Sequence, residues 1–125
     1  ASLDKRRSLK VITKIIHPEI KKKMNLFIKK NRKKEIVILD VPLYLENKLN
    51  KKKDILIFIQ SKKEEINKRL YKRKNFDFVL FKKFKKIQLP LEIKKKHSNF
   101  VINNNFTNKS LKKDIKRILK IIKNK

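Results

Sequence analysis

Residues 36–46 read Ile36-Val37-Ile38-Leu39-Asp40-Val41-Pro42-Leu43-Tyr44-Leu45-Glu46. Five of the first six are apolar, and Asp40 interrupts them. So short a continuous apolar run predicts a strand over 35–42, buried on both faces as in a parallel sheet. Asp40 falls where that strand should end, and Pro42, which has no N–H, forbids further ladder bonding. A single carboxylate is thereby placed at the carboxyl edge of a sheet, the edge where open α/β folds bind their ligands.

The flanking sequence supports the same class of fold. Leu9, Ile12, Ile15 and Ile16 predict an amphipathic helix over 1–16, closed by His17-Pro18. Pro18 then opens a second helix to about residue 31, with Glu19 at its positive end and Ile20, Met24, Phe27 and Ile28 on one face. Residues 44–53 read as a polar loop or short helical turn, and Asp54–Gln60 as a second buried strand. Ser61 and Glu64 have capping-box spacing and predict a helix over 62–73. Phe78, Phe81, Phe84 and Ile87 predict a helix over 76–88, broken by Pro90. A short helix over 91–97, a strand within 99–104 and a helix over 107–123 complete the chain. Buried strands alternating with helices mean an α/β fold with a parallel sheet, in one domain.

Composition excludes several chemistries. The 125 residues contain no glycine, where average usage supplies roughly nine. A phosphate-cradling loop needs glycine for close backbone approach, so none lies in these residues. Without cysteine there is no disulfide, thiolate metal site or cysteine nucleophile. His17 and His97 stand apart without metal-ligand spacing. No apolar run approaches the ~18 residues of a membrane span, and residues 1–20 lack the apolar core of a signal peptide. A cytoplasmic protein that avoids membranes is the expectation. The chain starts at Ala1 and its only methionine is Met24, which reads as a trimmed or incomplete chain lacking N-terminal sequence.

The formal net charge of +28 attracts polyanions, at least weakly and without sequence preference. Lysines number 33 against 6 arginines, and Lys, Asn and Ile together make 63 of the 125 residues. Their codons are A/T-rich, so genomic drift produces the same bias without selection for any partner.

Several short motifs follow one another in a fixed order. Ile16-His17-Pro18-Glu19-Ile20 resembles "I-x-HP-x-I", and Pro42-Leu43-Tyr44-Leu45-Glu46-Asn47 resembles "PLLFEN". Arg69-Leu70 with Arg73 resembles "RL-x-x-R", and Gln88-Leu89-Pro90-Leu91-Glu92 with Lys94 resembles "QMPLEEK". Ser98 to Asn104 is similar to "AD-x-VIDN". In this order and spacing they resemble the dephospho-CoA kinase family over essentially the whole chain. The family's Asp residues in the last motif are Asn99 and Asn103 here, and its nearby glycines are Lys48 and Asn105. A basic residue often found four before the family Gln is Phe84.

That resemblance implies ATP-dependent phosphorylation of the ribose 3′-hydroxyl of dephospho-CoA, the final step of coenzyme A synthesis. It implies a three-layer P-loop NTPase-type parallel sheet flanked by helices, here incomplete at the N-terminus. Residues 1–32 would be a helical CoA-binding insertion, 35–60 core strands, 61–98 the lid region, and 99–125 the last strand and C-terminal helix. ATP would be co-substrate with Mg²⁺, which Asp40 would hold through water; a solvated strand-end Asp is the other reading. Arg73 would act catalytically and, with Arg69, bind ATP from the lid. The two are four apart, hence on one helix face, while Glu65 lies four before Arg69 as a surface partner. Asn104 would approach the adenine. His17, Pro18, Pro42, Glu46, Gln88 and Lys94 would contact the CoA substrate or shape its site. Without a phosphate loop, these residues alone are expected to be inactive as a kinase. A small basic nucleic-acid-binding protein and a truncated kinase-like pseudoenzyme are the competing readings, and the sequence leaves the oligomeric state open.

Overall fold

A computed structural model describes residues 17–124. The helix expected over 1–16, with Leu9, Ile12, Ile15 and Ile16, lies outside them. The chain divides into two compact units, Ala1–Asn50 and Lys51–Lys125.

In the first unit, residues 17–30 are helical (α1). Ile20, Met24 and Ile28 recur every four residues and form its inward stripe, with Met24 buried. Phe27, expected on that stripe, is instead 49% exposed. Asn31 ends the helix: its backbone N–H and its side-chain Nδ2 both donate to the Phe27 carbonyl, at 3.1 and 2.8 Å. One carbonyl of the last turn, that of Phe27, is doubly satisfied this way.

Residues 36–41 form neither helix nor strand and pair with no strand among the described residues. The strand expected over 35–42 therefore has no ladder here, and Ile38 is 81% exposed rather than buried. An apolar run specifies an extended segment, but burial on both faces requires neighbours that the run does not carry. Residues 42–48 then coil through turns, and Leu49 is buried at their end. The Asn47 N–H reaches the Leu43 carbonyl at 3.0 Å, and the Leu49 N–H reaches that of Tyr44 at 3.0 Å. Leu43 (φ 54°) and Lys48 (φ 52°) both sit in the left-handed region.

In the second unit, β1 (Ile57–Gln60) and β2 (Phe100–Asn103) pair in parallel, with Ile57 opposite Phe100 and Gln60 opposite Asn103. The predicted α/β class with a parallel sheet is correct. Between the strands run α2 (Lys63–Tyr71), α3 (Phe78–Ile87) and α4 (Leu91–His97), and α5 (Asn108–Lys123) follows β2. α5 lies against β2, and each contributes a buried isoleucine, Ile118 and Ile102. β1 is less enclosed than its composition predicts: Ile57 and Ile59 are 45% and 60% exposed.

Two helix ends differ from the sequence expectation. α2 begins at Lys63 with Lys62 as its N-cap and no side-chain cap, so Ser61 and Glu64 form no capping box. Glu64 and Glu65 in the first turn still favour the positive helix end. α3 has the side-chain cap instead. Asp77 accepts from the Val79 and Leu80 N–H groups at 3.0 and 3.1 Å. Phe76 bridges the loop before it, its ring 5.2 Å from Tyr71 and 5.7 Å from Phe81.

Candidate nucleotide-base site

The carboxyl ends of β1 and β2 carry a structured turn. The Asn104 N–H donates to the Gln60 carbonyl at 2.8 Å, continuing the ladder beyond β2. The Asn104 side-chain oxygen then accepts from the Phe106 N–H at 2.9 Å. Asn105 repeats the device one residue on, accepting from the Thr107 N–H at 3.1 Å and its hydroxyl at 2.7 Å. Such Asx turns fix the backbone locally, which is why Asn clusters where a strand must turn sharply. Phe106 is carried through the left-handed region at φ 63°. The position with glycine-like backbone is thus Phe106 and not Asn105, the residue that stands where the family motif carries glycine.

Arg69 reaches this turn from the last turn of α2. Its guanidinium carbon lies 3.7 Å from the centre of the Phe106 ring, a cation–π contact. The structure therefore brings one expected ATP-binding residue, Arg69, onto the loop that holds another, Asn104. Phe106, which joins them, was not singled out in the sequence. Its signal was present as an aromatic two residues after Asn104, at the position whose N–H an Asx turn captures.

Arg73 does not share a helix face with Arg69. α2 ends at Tyr71, and Arg73 lies two residues beyond it, exposed, its N–H bonded to the Leu70 carbonyl at 3.1 Å. Asn75 follows with φ 64°, so the chain has left the helix before a further turn can form. Without the helical repeat, a four-residue spacing no longer sets a common face.

Gln88 is the exposed C-cap of α3. Lys94 is half-buried in α4, where its carbonyl accepts from the Ser98 hydroxyl at 2.8 Å. Asp40, Pro42 and Glu46 belong to the first unit, with Asp40 and Pro42 exposed and Glu46 half-buried. His17 and Pro18 lie in the first described turn of α1. Nε2 of His17 is enclosed with no hydrogen-bond partner among the described residues. At the other end of α1, a surface hollow of about 610 Å³ is lined by Leu26, Lys29, Lys30, Asn31, Arg32, Lys33 and Lys34. Five cations around one hollow make it attractive to anions.

No group of three or more His, Cys, Asp or Glu side chains gathers to hold a metal among the described residues. Mg²⁺ requires near-octahedral oxygen coordination, and one exposed carboxylate at Asp40 does not supply a site. No helix among the described residues is long and apolar enough to cross a membrane.

The family model for dephospho-CoA kinase matches residues 3–110. A dephospho-CoA kinase of Bacillus anthracis is 34% identical over 113 residues, covering 87% of this chain and 56% of the relative. One from Lactobacillus acidophilus is 35% identical over 119 residues, covering 93% and 59%. One from Rickettsia felis is 31% identical over 110 residues, covering 88% and 58%. The chain thus spans little more than half the length of these relatives. The match runs through Arg69, Asn104 and Phe106 together, and the chain belongs to the dephospho-CoA kinase family.

Proposed function

We propose that these residues form the nucleoside-side and lid portion of a dephospho-CoA kinase, acting in the cytoplasm. The substrates are ATP and dephospho-CoA, and the product is the ribose 3′-phosphate. The observation that carries this reading is the family match across residues 3–110. Phosphoryl transfer requires positioning and charge neutralisation more than covalent chemistry from the protein. This chain offers residues for both. Arg69 stands at the strand-end turn, where open α/β sheets bind nucleotides. Arg73, exposed in the segment after α2, is the cation proposed to meet the transferred group as the lid closes.

In the same reading, residues 1–32 form the CoA-side helical insertion, with His17 and Pro18 shaping it. Residues 35–42 become a core strand of a three-layer P-loop sheet once neighbouring strands flank them, and Pro42 and Glu46 shape the turn at its end. Gln88 and Lys94, within the lid region, contact the CoA substrate. Mg²⁺ enters with the nucleotide. Asp40 would contribute one oxygen to it through water.

The test joins this chain to the part of the Bacillus anthracis relative that the match leaves uncovered. The fusion is assayed for ATP-dependent conversion of dephospho-CoA to coenzyme A. Conversion by the fusion supports the kinase reading. No conversion, while the intact relative is active and the fusion is folded by circular dichroism, overturns it in favour of a pseudoenzyme.

A further inference from the structure

Between Glu19 and Glu35 the chain carries eight cations and no acidic residue. Five of them, Lys29, Lys30, Arg32, Lys33 and Lys34, line the hollow of about 610 Å³ at the end of α1, and all five are exposed. None forms an ion pair among the described residues. Drift raises lysine over the whole chain, but it does not gather five cations around one concavity. Cations so close repel one another, and an anion seated among them relieves that repulsion.

Lys29 and Lys30 stand in the last turn of α1, where cations favour the negative helix end, so a purely structural role accounts for those two. Arg32, Lys33 and Lys34 lie past the helix, where that effect has fallen off. The carbonyls of Phe27, Ile28 and Lys29 would repel an anion at a bare helix end. Here they already accept from the backbone and side-chain N–H groups of Asn31 and from the Arg32 N–H. The mouth of the hollow is thereby left to the cationic side chains.

The volume falls among sites that take a small molecule, roughly 300–1,000 Å³. No aromatic ring lines it, so a nucleobase finds nothing to stack on. A single phosphate group carries roughly two charges near pH 7, too few to balance five cations. Linked phosphates bring more charge in the same compact length.

We propose that this hollow is a second anion site, taking a chain of two or three linked phosphates. None of the residues assigned to ATP or dephospho-CoA lines it, and α1 puts roughly 18 Å between Pro18 and Lys30. The site therefore stands whether or not the kinase reading does.

The experiment titrates the full chain calorimetrically with inorganic tripolyphosphate at about 0.15 M salt, where distant surface charges are largely screened. One variant carries Arg32→Gln, Lys33→Gln and Lys34→Gln. A control carries Lys112→Gln, Lys113→Gln and Lys116→Gln on the exposed side of α5, and so loses the same charge elsewhere. The first is expected to weaken tripolyphosphate about tenfold, the scale for losing three exposed charge pairs. The control is expected to change it about twofold or less. All six positions are exposed, so both variants should fold, which circular dichroism checks. The Lys29→Gln, Lys30→Gln pair is expected to weaken binding as well, and gives a second reading of the same hollow. Loss with tripolyphosphate alone assigns the hollow to free oligophosphate, and an equal loss with ATP extends it to chains carried by a nucleotide; both support the site. Equal weakening by variant and control overturns it, because net charge alone would then hold the anion. No binding by the wild-type chain overturns it too. So does an oligo(dT) strand whose affinity falls further than that of tripolyphosphate in the first variant, since the hollow would then belong to a nucleic-acid track.

Discussion

The Leu56 N–H donates to the Asn99 side-chain oxygen at 2.8 Å, and the Asn99 N–H donates back to the Leu56 carbonyl at 2.8 Å. These residues are 43 apart in sequence, and their reciprocal bonds close the sheet at the entry to both strands. The motif resemblance places an aspartate of the family at this position. Either side chain presents an acceptor oxygen at the same atom, so the substitution preserves the clamp. Asn99→Ala should destabilise the chain by about 1 kcal/mol, the usual net worth of one such bond. Asn99→Asp should be neutral or stabilising, since a charged acceptor is stronger and the chain is strongly cationic. Urea denaturation of the three forms checks both signs.

Lys48 occupies the left-handed region at φ 52°, where the family motif carries glycine. The Cβ clash costs roughly 1–2 kcal/mol, offset partly by the greater unfolded-state freedom of glycine. Lys48→Gly should therefore stabilise the turn by about 0.5–1 kcal/mol, and Lys48→Ala should not. Amide exchange at Leu49, whose N–H bonds to Tyr44, reads this locally. Equal protection in Lys48→Gly and Lys48→Ala would contradict it.

Asp77 caps α3 through two N–H groups. Asp77→Ala should cost about 1 kcal/mol and reduce helicity, while Asp77→Ser should keep most of the cap. Exchange at the Leu80 amide, one of the two captured donors, is the direct measurement.

Arg73 and Arg69 sit in different settings, so their substitutions should separate in the fused enzyme. Arg73→Ala should lower kcat by roughly 10²–10³-fold, the scale for losing one transition-state charge donor. Arg69→Ala should mainly raise the KM for ATP, the outcome expected if its proposed role is to bind the nucleotide from the strand-end turn, where its guanidinium lies 3.7 Å from the Phe106 ring. Steady-state kinetics distinguishes them, and an unchanged kcat in Arg73→Ala removes its catalytic role.

Sequence alone determined the element types and their order in the second unit. The helix at 108–123 falls where apolar periodicity over 107–123 places it, the helix at 91–97 where the break at Pro90 leaves it, and β1 and β2 within the short apolar runs of 54–60 and 99–104. The ordered motifs also carried the family. Ends and contacts were decided by tertiary structure. Ser61 had the right spacing for a cap but lies outside the helix, while Asp77, which had no capping-box partner, captures two N–H groups. Residues 36–41 have a strand's composition but no ladder among the described residues, since a strand exists only with a hydrogen-bonded neighbour. The Arg69–Phe106 stack joins residues from two distant elements. Neither residue specifies the other locally; the β2 turn and the end of α2 bring them together, and only the folded chain could place them so.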